Sequence, residues 1–386
     1  MQKMNSKERI KATVRHEKTD HLPMCFDGIC HGVVTFVSEM YPDKYKRASF
    51  FLELGLDTAV SVVPPINSMA NYTVKEWRET QKNEIYPLLH KEYITKKGSL
   101  FQVVRKTVDY PENISLISDH NVSRSKQFLV EKEEDLEKLE QILVAPEGKE
   151  LDDFMKDAKE TKKFCDEKGI IMTGYLSGVG DPLIWFSGVE NVLFASQDAP
   201  GFLKRYTEII QKWNKRRLEI MLEGGVDHVI RRGWYESTDF WSPSLYRELF
   251  FGFLKDEIDT CHRANVTYDY CMNSGAMPLL EIFNELKFDI FSNFDPLLSN
   301  TDLVKIKKTV GRELALCGGV NNFLVLEKGT EEEVEAAVKD AVNKLAGGGG
   351  YILAPGDSIY LSTDETTRRN FYKMIAVWKE IRNGSI

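Results

Sequence analysis

Val266-Thr-Tyr-Asp-Tyr-Cys-Met-Asn-Ser-Gly275 is a β-rich run whose end sets Asp269, Cys271 and Asn273 two apart, and so on one face of a strand. The inward positions of an α/β barrel are ordinarily filled by Val, Ile or Leu, so three polar groups at a strand tip call for a reason beyond packing. Tyr351-Ile-Leu-Ala-Pro-Gly-Asp-Ser358 is a second apolar strand that ends in an acid, Asp357. The two tips are expected to face each other across a barrel mouth.

Working outward, eight short apolar or β-branched runs stand along the chain: His21–Phe26, Thr58–Val63, Gly169–Tyr175, Val226–Arg231, Val266–Cys271, Phe288–Asn293, Leu314–Gly319 and Tyr351–Ala354. Helical periodicity fills most of the intervals, over Pro200–Gly224, Ser242–Asn265, Met277–Leu286 and Glu331–Leu345. Parallel strands need such crossovers, and eight of them predict a (β/α)8 TIM barrel. Local signals agree: Thr330 with Glu333 reads as a capping box, Asp198 before Pro200 as an N-cap, and Gly347–Gly350 as a helix stop. The long interval between the second and third runs has its own strand pattern, Tyr93 to Arg105. It predicts a β-hairpin insertion at about 67–130 within a single barrel domain spanning 1–386.

Composition narrows the function. With 51 Lys+Arg against 59 Asp+Glu, a formal charge of −8, the chain has no cationic excess for a phosphate backbone, and nucleic acid is not an expected partner. No stretch reaches eighteen apolar residues and the first ten lack a signal-peptide core, so a cytoplasmic protein off the membrane is expected. Six cysteines spread over 386 residues, without a CxxC pair, read as reduced thiols rather than a disulfide framework. Cys165 and Cys261 fall in helical patterns as packing residues, whereas Cys25, Cys271 and Cys317 lie near strand ends.

In barrels the chemistry sits at the strand C-termini. There the sequence offers Asp27, Tyr175, Arg231, Arg232, Trp234, Glu236, Asp269, Cys271, Asn273, Asn293, Asp295, Cys317, Asn321 and Asp357. At this point the chain resembles the uroporphyrinogen decarboxylase superfamily, which also holds corrinoid-dependent methyltransferases such as the veratrol- and vanillate-type O-demethylases. The likeness rests on Lys7-Glu-Arg-Ile-Lys-Ala-Thr-Val-Arg-His-Glu-Lys-Thr-Asp-His-Leu-Pro23, Trp241-Ser-Pro-Ser-Leu-Tyr-Arg-Glu-Leu249, Leu316-Cys-Gly-Gly-Val-Asn321 and Gly348-Gly-Gly-Tyr-Ile-Leu-Ala-Pro-Gly356. It spans nearly the whole chain and implies the (β/α)8 fold. The decarboxylases meet their tetrapyrrole with arginines after the first strand and an aspartate after the second; Pro23–Gly32 has no arginine and Ser61–Ile66 no aspartate, which leaves the methyltransferase branch.

Zinc-dependent members of that branch use His-x-Cys on strand five and a Cys after the glycine that ends strand eight. The matching positions here are Asp269, Cys271 and Asp357, a harder ligand set still compatible with zinc. Carboxylates suit an oxygen-centred substrate, either through a metal or by donating a proton to the departing oxygen. The resemblance therefore implies an O-demethylase that passes a methyl group from an aryl methyl ether to cob(I)amide on a separate corrinoid protein, with barrels paired as a homodimer. Within it Asp269, Cys271 and Asp357 are expected to bind metal or activate oxygen, Glu236 to donate a proton or ligate, and Asn273 and Tyr175 to hydrogen-bond the substrate. Trp185, Trp234, Tyr235 and Trp241 predict a wall for a flat ring, with Asp27 and His31 as further pocket candidates. The alternatives are the reverse transfer to a thiol or pterin, a tetrapyrrole decarboxylase, and a non-catalytic tetrapyrrole-binding barrel.

Overall fold

A computed structural model describes residues 3–66, 68–361 and 364–383. Eleven strands form among them: β1 (Ala59–Val62), β2 (Tyr72–Glu79), β3 (Leu88–Thr95), β4 (Gly98–Arg105), β5 (Ser125–Gln127), β6 (Ile171–Ser177), β7 (His228–Arg232), β8 (Thr267–Cys271), β9 (Ile290–Phe294), β10 (Ala315–Val320) and β11 (Tyr351–Pro355). The chain divides into two compact units, residues 1–63, 155–176 and 221–386 in the first and 64–154 and 177–220 in the second. The second unit takes in more of the chain than the interval at 67–130.

The first unit is α/β. Its seven strands run parallel in the order β1-β6-β7-β8-β9-β10-β11, with helices in the crossovers. Seven of the eight expected runs are these strands, each within two residues of its predicted start. The eighth, His21–Phe26, is reduced to one parallel bridge from Met24 to Leu353. Around it Cys25 N donates to Leu353 O at 3.0 Å, Leu353 N to Pro23 O at 3.0 Å, and Asp57 N to Met24 O at 2.9 Å. Proline 23 has no N–H to add to a ladder, which limits how far this run can pair.

Alternation fixes what each strand shows to either side. Ala59, Ile171, Ile290, Ala315, Ile352 and Ala354 pack together with Cys25, Ile29, Cys30 and Cys317 as one buried cluster on the inner face. Burying the isoleucines of this cluster contributes about 1.5–3 kcal/mol each. Asp269 lies opposite Ile290 and Ile230 in register, so it shares the inner face, and Cys271 follows it there opposite Arg232 and Ser292.

Helix ends confirm local readings and amend one. The Glu331–Leu345 helix has the Thr330–Glu333 capping box, and helix α1 (Ser6–Val14) has a second built by Asn5 and Glu8. Asp198, expected to cap the Pro200–Glu223 helix, instead ends the preceding helix, Val189–Asp198. The short turn at Ala199 leaves Asp198 one residue too early to cap. No described helix is long and apolar enough to cross a membrane.

The second unit holds an antiparallel sheet, β2-β3-β4-β5. β3 and β4 face each other from Leu88↔Arg105 to Thr95↔Gly98, so the Tyr93–Arg105 pattern is one arm and a half of a larger four-stranded sheet. Trp77 stacks on His90 across β2 and β3 with ring centroids 4.8 Å apart.

Candidate active site at the strand ends of the parallel sheet

Asp269 is fully buried on the inner face of β8. His228, two positions before Ile230 on the same face of β7, has Nε2 3.7 Å from Asp269 Oδ2. That distance is too long for a hydrogen bond, and both carboxylate oxygens lack a hydrogen-bond partner among the described residues. Burial pushes the Asp269 carboxyl up, against the pull of His228 and Ser292.

Cys271 ends the same strand face. Its sulfur accepts a hydrogen bond from Trp234 Nε1 at 3.3 Å, and burial together with Asp269 raises its pKa well above an ordinary thiol. Trp234 lies under the Arg232 guanidinium at 4.0 Å, a stacked cation–π contact, and meets the His31 ring edge-on at 5.0 Å. His31 in turn lies 5.1 Å from the Tyr175 ring at the end of β6. Burial pushes Asp357, just past β11, up to about 6, and Arg232 and the Ser358 backbone amide pull it back toward the ionised form. His31, Tyr175, Arg232, Trp234, Cys271 and Asp357 thus bring acid, cation, thiol and π-faces to the C-terminal edge of one sheet.

Asn293 positions the loops that carry them. It adopts φ +64°, a left-handed conformation that Asn tolerates, and its amide oxygen accepts from His31 N at 3.0 Å. Its amide nitrogen donates to the carbonyl oxygens of His31 and, at 3.2 Å, Gly356. One side chain therefore ties the loop before Val33 to the residue preceding Asp357. Gly356 itself sits so close to Asp295 that a Cβ there would lie 3.0 Å from the carboxylate.

Other sequence candidates have different surroundings. Glu236 is buried in an ion pair with Arg231 and accepts from Tyr270 Oη at 2.6 Å, in a cluster that continues through Arg231 Nε to Glu257 at 3.2 Å. Arg231 pairs in register with Tyr270, so this cluster occupies the face opposite to Asp269 and Cys271. Trp241 is buried against Phe250 and donates to Tyr235 O at 2.7 Å, while Tyr235 packs on Phe240. Asp27 pairs with Arg47 Nε at 3.1 Å. Asn273 follows β8 and accepts from Asp295 N through its backbone carbonyl at 3.2 Å. Trp185 belongs to the second unit, where its indole donates to Asp119 at 2.7 Å.

Asp269, Cys271 and Asp357, the expected metal ligands, are not a close-set group of ligand atoms in this structure. The trio of Cys, His, Asp or Glu whose ligand atoms all come within 4.8 Å of one another, among the described residues, is Cys25, Cys30 and Cys317. Asp269, Cys271 and Asp357 are not drawn together in that way, and burial pushes the Cys271 thiol pKa well up. Arg232 and His228 were the residues that sequence reasoning left without a role. Counting by two from either of them along β7 places both on the face of Asp269, a signal the sequence contains.

A parallel α/β sheet whose polar side chains converge at its strand C-termini defines an α/β protein of the barrel-like class, with its site at that edge. The particular family follows from comparison. The profile described as uroporphyrinogen decarboxylase (URO-D) matches residues 117–378, and the chain belongs to that family. Among solved structures, a methyltransferase from Methanosarcina mazei is similar at 17% identity with a TM-score of 0.61, covering 98% of this chain and 99% of that one. A B12-independent methionine synthase from Shewanella sp. W3-18-1, solved with selenomethionine, is similar at 11% identity and a TM-score of 0.51, over 94% and 97% of the two chains. These likenesses are likenesses of fold. No curated protein matches the chain.

Proposed function

We propose that the protein is a methyltransferase that takes the methyl group of an O-methylated substrate, an aryl methyl ether such as a methoxyphenol, to cob(I)amide on a separate corrinoid protein. The observation that carries this reading is Asp357: an acid with its pKa raised to about 6, next to Arg232, at a strand edge lined by the rings of His31, Tyr175 and Trp234. A protonated carboxyl there can give its proton to a departing aryl oxygen, and flat rings suit a flat substrate.

In the step proposed, the methyl carbon–oxygen bond breaks and its electron pair stays on the aryl oxygen. Asp357 supplies the proton that makes the phenol and is reprotonated from water. Cobalt(I) of the corrinoid substrate supplies the pair for the new carbon–cobalt bond, so the chain itself needs no nucleophile. Arg232 stabilises the charge that develops as the proton leaves, and Cys271, its thiol pKa raised by burial, contributes a polar wall. Asp269 and His228 form the floor beneath it. No step passes through zinc at this edge.

Family membership fits both decarboxylases and methyltransferases; the absence of arginines from Pro23–Gly32 and Ser61–Ile66 favours the latter, since a polycarboxylate needs cations to greet it. Closure of the seven strands by Pro23–Cys25 into an eight-membered barrel, a cytoplasmic location and a homodimer belong to the same proposal. The test mixes purified protein, a reduced corrinoid protein and a panel of methoxyarenes while following cob(I)amide absorbance. Loss of that signal only with certain ethers is expected. Thiol methylation from methylcobalamin with no ether-dependent loss would reverse the direction of transfer.

A further inference from the structure

Three thiols that the proposed step does not use meet on the inner face of the first unit. Cys25 Sγ lies 3.6 Å from Cys30 Sγ and 3.9 Å from Cys317 Sγ, and all three ligand atoms fall within 4.8 Å of one another. They arrive from three directions: Cys25 from the Met24 bridge, Cys317 from β10, and Cys30 from the loop after that bridge. The loop can double back because Gly28 adopts φ +83° against β1, where a Cβ would stand 2.7 Å from Ala59 O. Beyond Cys317 the register with β9 slips between Cys317 and Gly318, which re-aims the end of the strand.

We propose that Cys25, Cys30 and Cys317 form a binding site for a thiophilic d10 metal ion, Zn2+ or Cu+, held by three thiolate sulfurs. A zinc–sulfur bond of about 2.3 Å sets sulfur–sulfur separations of about 3.8 Å in a tetrahedral shell, and the Cys25–Cys30 and Cys25–Cys317 separations of 3.6 and 3.9 Å bracket that value. Three sulfurs with no fourth donor in the group is the count of a trigonal Cu+ site, or of a zinc site with one position open. Soft sulfur selects these ions over Mg2+ or Ca2+, which take oxygen. Binding releases the thiol protons to solvent, with no change of oxidation state at sulfur. The ion enters by displacement of the Cys30 loop, which has glycines on both sides at Gly28 and Gly32. Once bound it pins the Met24 bridge, that loop and β10 together.

The experiment uses the full chain, purified and reduced without oxygen, incubated with Zn2+ or Cu+, desalted and assayed for metal, with melting temperature read on the same samples. About one ion per chain and a raised melting temperature are expected, and competition between the two ions says which is preferred. Co2+ in their place should give thiolate-to-cobalt charge-transfer absorption. Cys30→Ala and Cys317→Ala should weaken retention at least tenfold, whereas Cys271→Ala should retain the ion. Should those two variants fail to fold, the wild type decides. Six titratable thiols and no retained ion, or retention lost in Cys271→Ala, overturns the proposal and leaves the trio as apolar packing.

Discussion

Asp357 carries the first prediction at the scale of a single residue. If its proton goes to the leaving oxygen, kcat for ether demethylation should be highest below about pH 6 and fall as pH rises through that value. Asp357→Asn should lower kcat by about 10²–10⁴-fold and remove this limb from the pH profile. Arg232 draws the Asp357 pKa down, so Arg232→Met should move the limb to higher pH; an unmoved limb would detach Arg232 from the acid. The sign for stability is the same. A carboxyl at about 6 in the folded chain and 3.8 as a free group stabilises the fold below about pH 4, and that contribution is lost as pH rises through about 6. At this scale the sequence was partly legible. Period-two spacing put Asp269 and Cys271 on one face, but the same rule applied to β7 separates Arg231 and its partner Glu236 from Arg232, a distinction that depends on which face is inner.

Between elements, the fold depends on charged groups that the sequence names without pairing. Arg9 of α1 reaches Asp20 at 2.6 Å and Asp57 at 2.6 Å, and Asp57 also accepts from Met24 N at 3.3 Å. Burial opposes ionisation of Asp20, yet Arg9 and the Met4 amide hold it down at about 2. Arg9→Ala leaves Asp57 buried without its cation and should destabilise the chain by about 3–5 kcal/mol, measured by denaturant melting. Losing less than about 1 kcal/mol would mean the cluster is dispensable. Asn293 links two loops, and Asn293→Ala should cost about 1–3 kcal/mol through its orphaned partners. Because those loops carry His31 and precede Asp357, the same variant should raise KM for an ether substrate, as steady-state kinetics would show. Helix and strand positions were readable here from periodicity, capping boxes and glycine stops. The reduction of His21–Phe26 to a bridge was less so, since pairing is decided by what β11 and Asp57 offer it.

For the molecule as a whole, charge sets behaviour in solution. With a net charge of −8 and an isoelectric point near 5.6, self-repulsion vanishes just below the pH at which Asp357 titrates. Solubility at low salt should therefore pass through a minimum near pH 5.6, visible as turbidity, and kinetics toward acid pH need low protein concentration. By itself the sequence determined the parallel α/β class, seven of its strands within two residues, the family-bearing motifs and the face of β8 that bears Asp269 and Cys271. These follow from period, capping and turn chemistry, which are local. Only the tertiary structure decided that Trp185 belongs to a second compact unit, that Trp241 and Glu236 have buried partners of their own, and that three cysteines up to 292 residues apart share one cluster. Side-chain neighbours across strands depend on register and on which face is covered, and neither is encoded within a single run of residues.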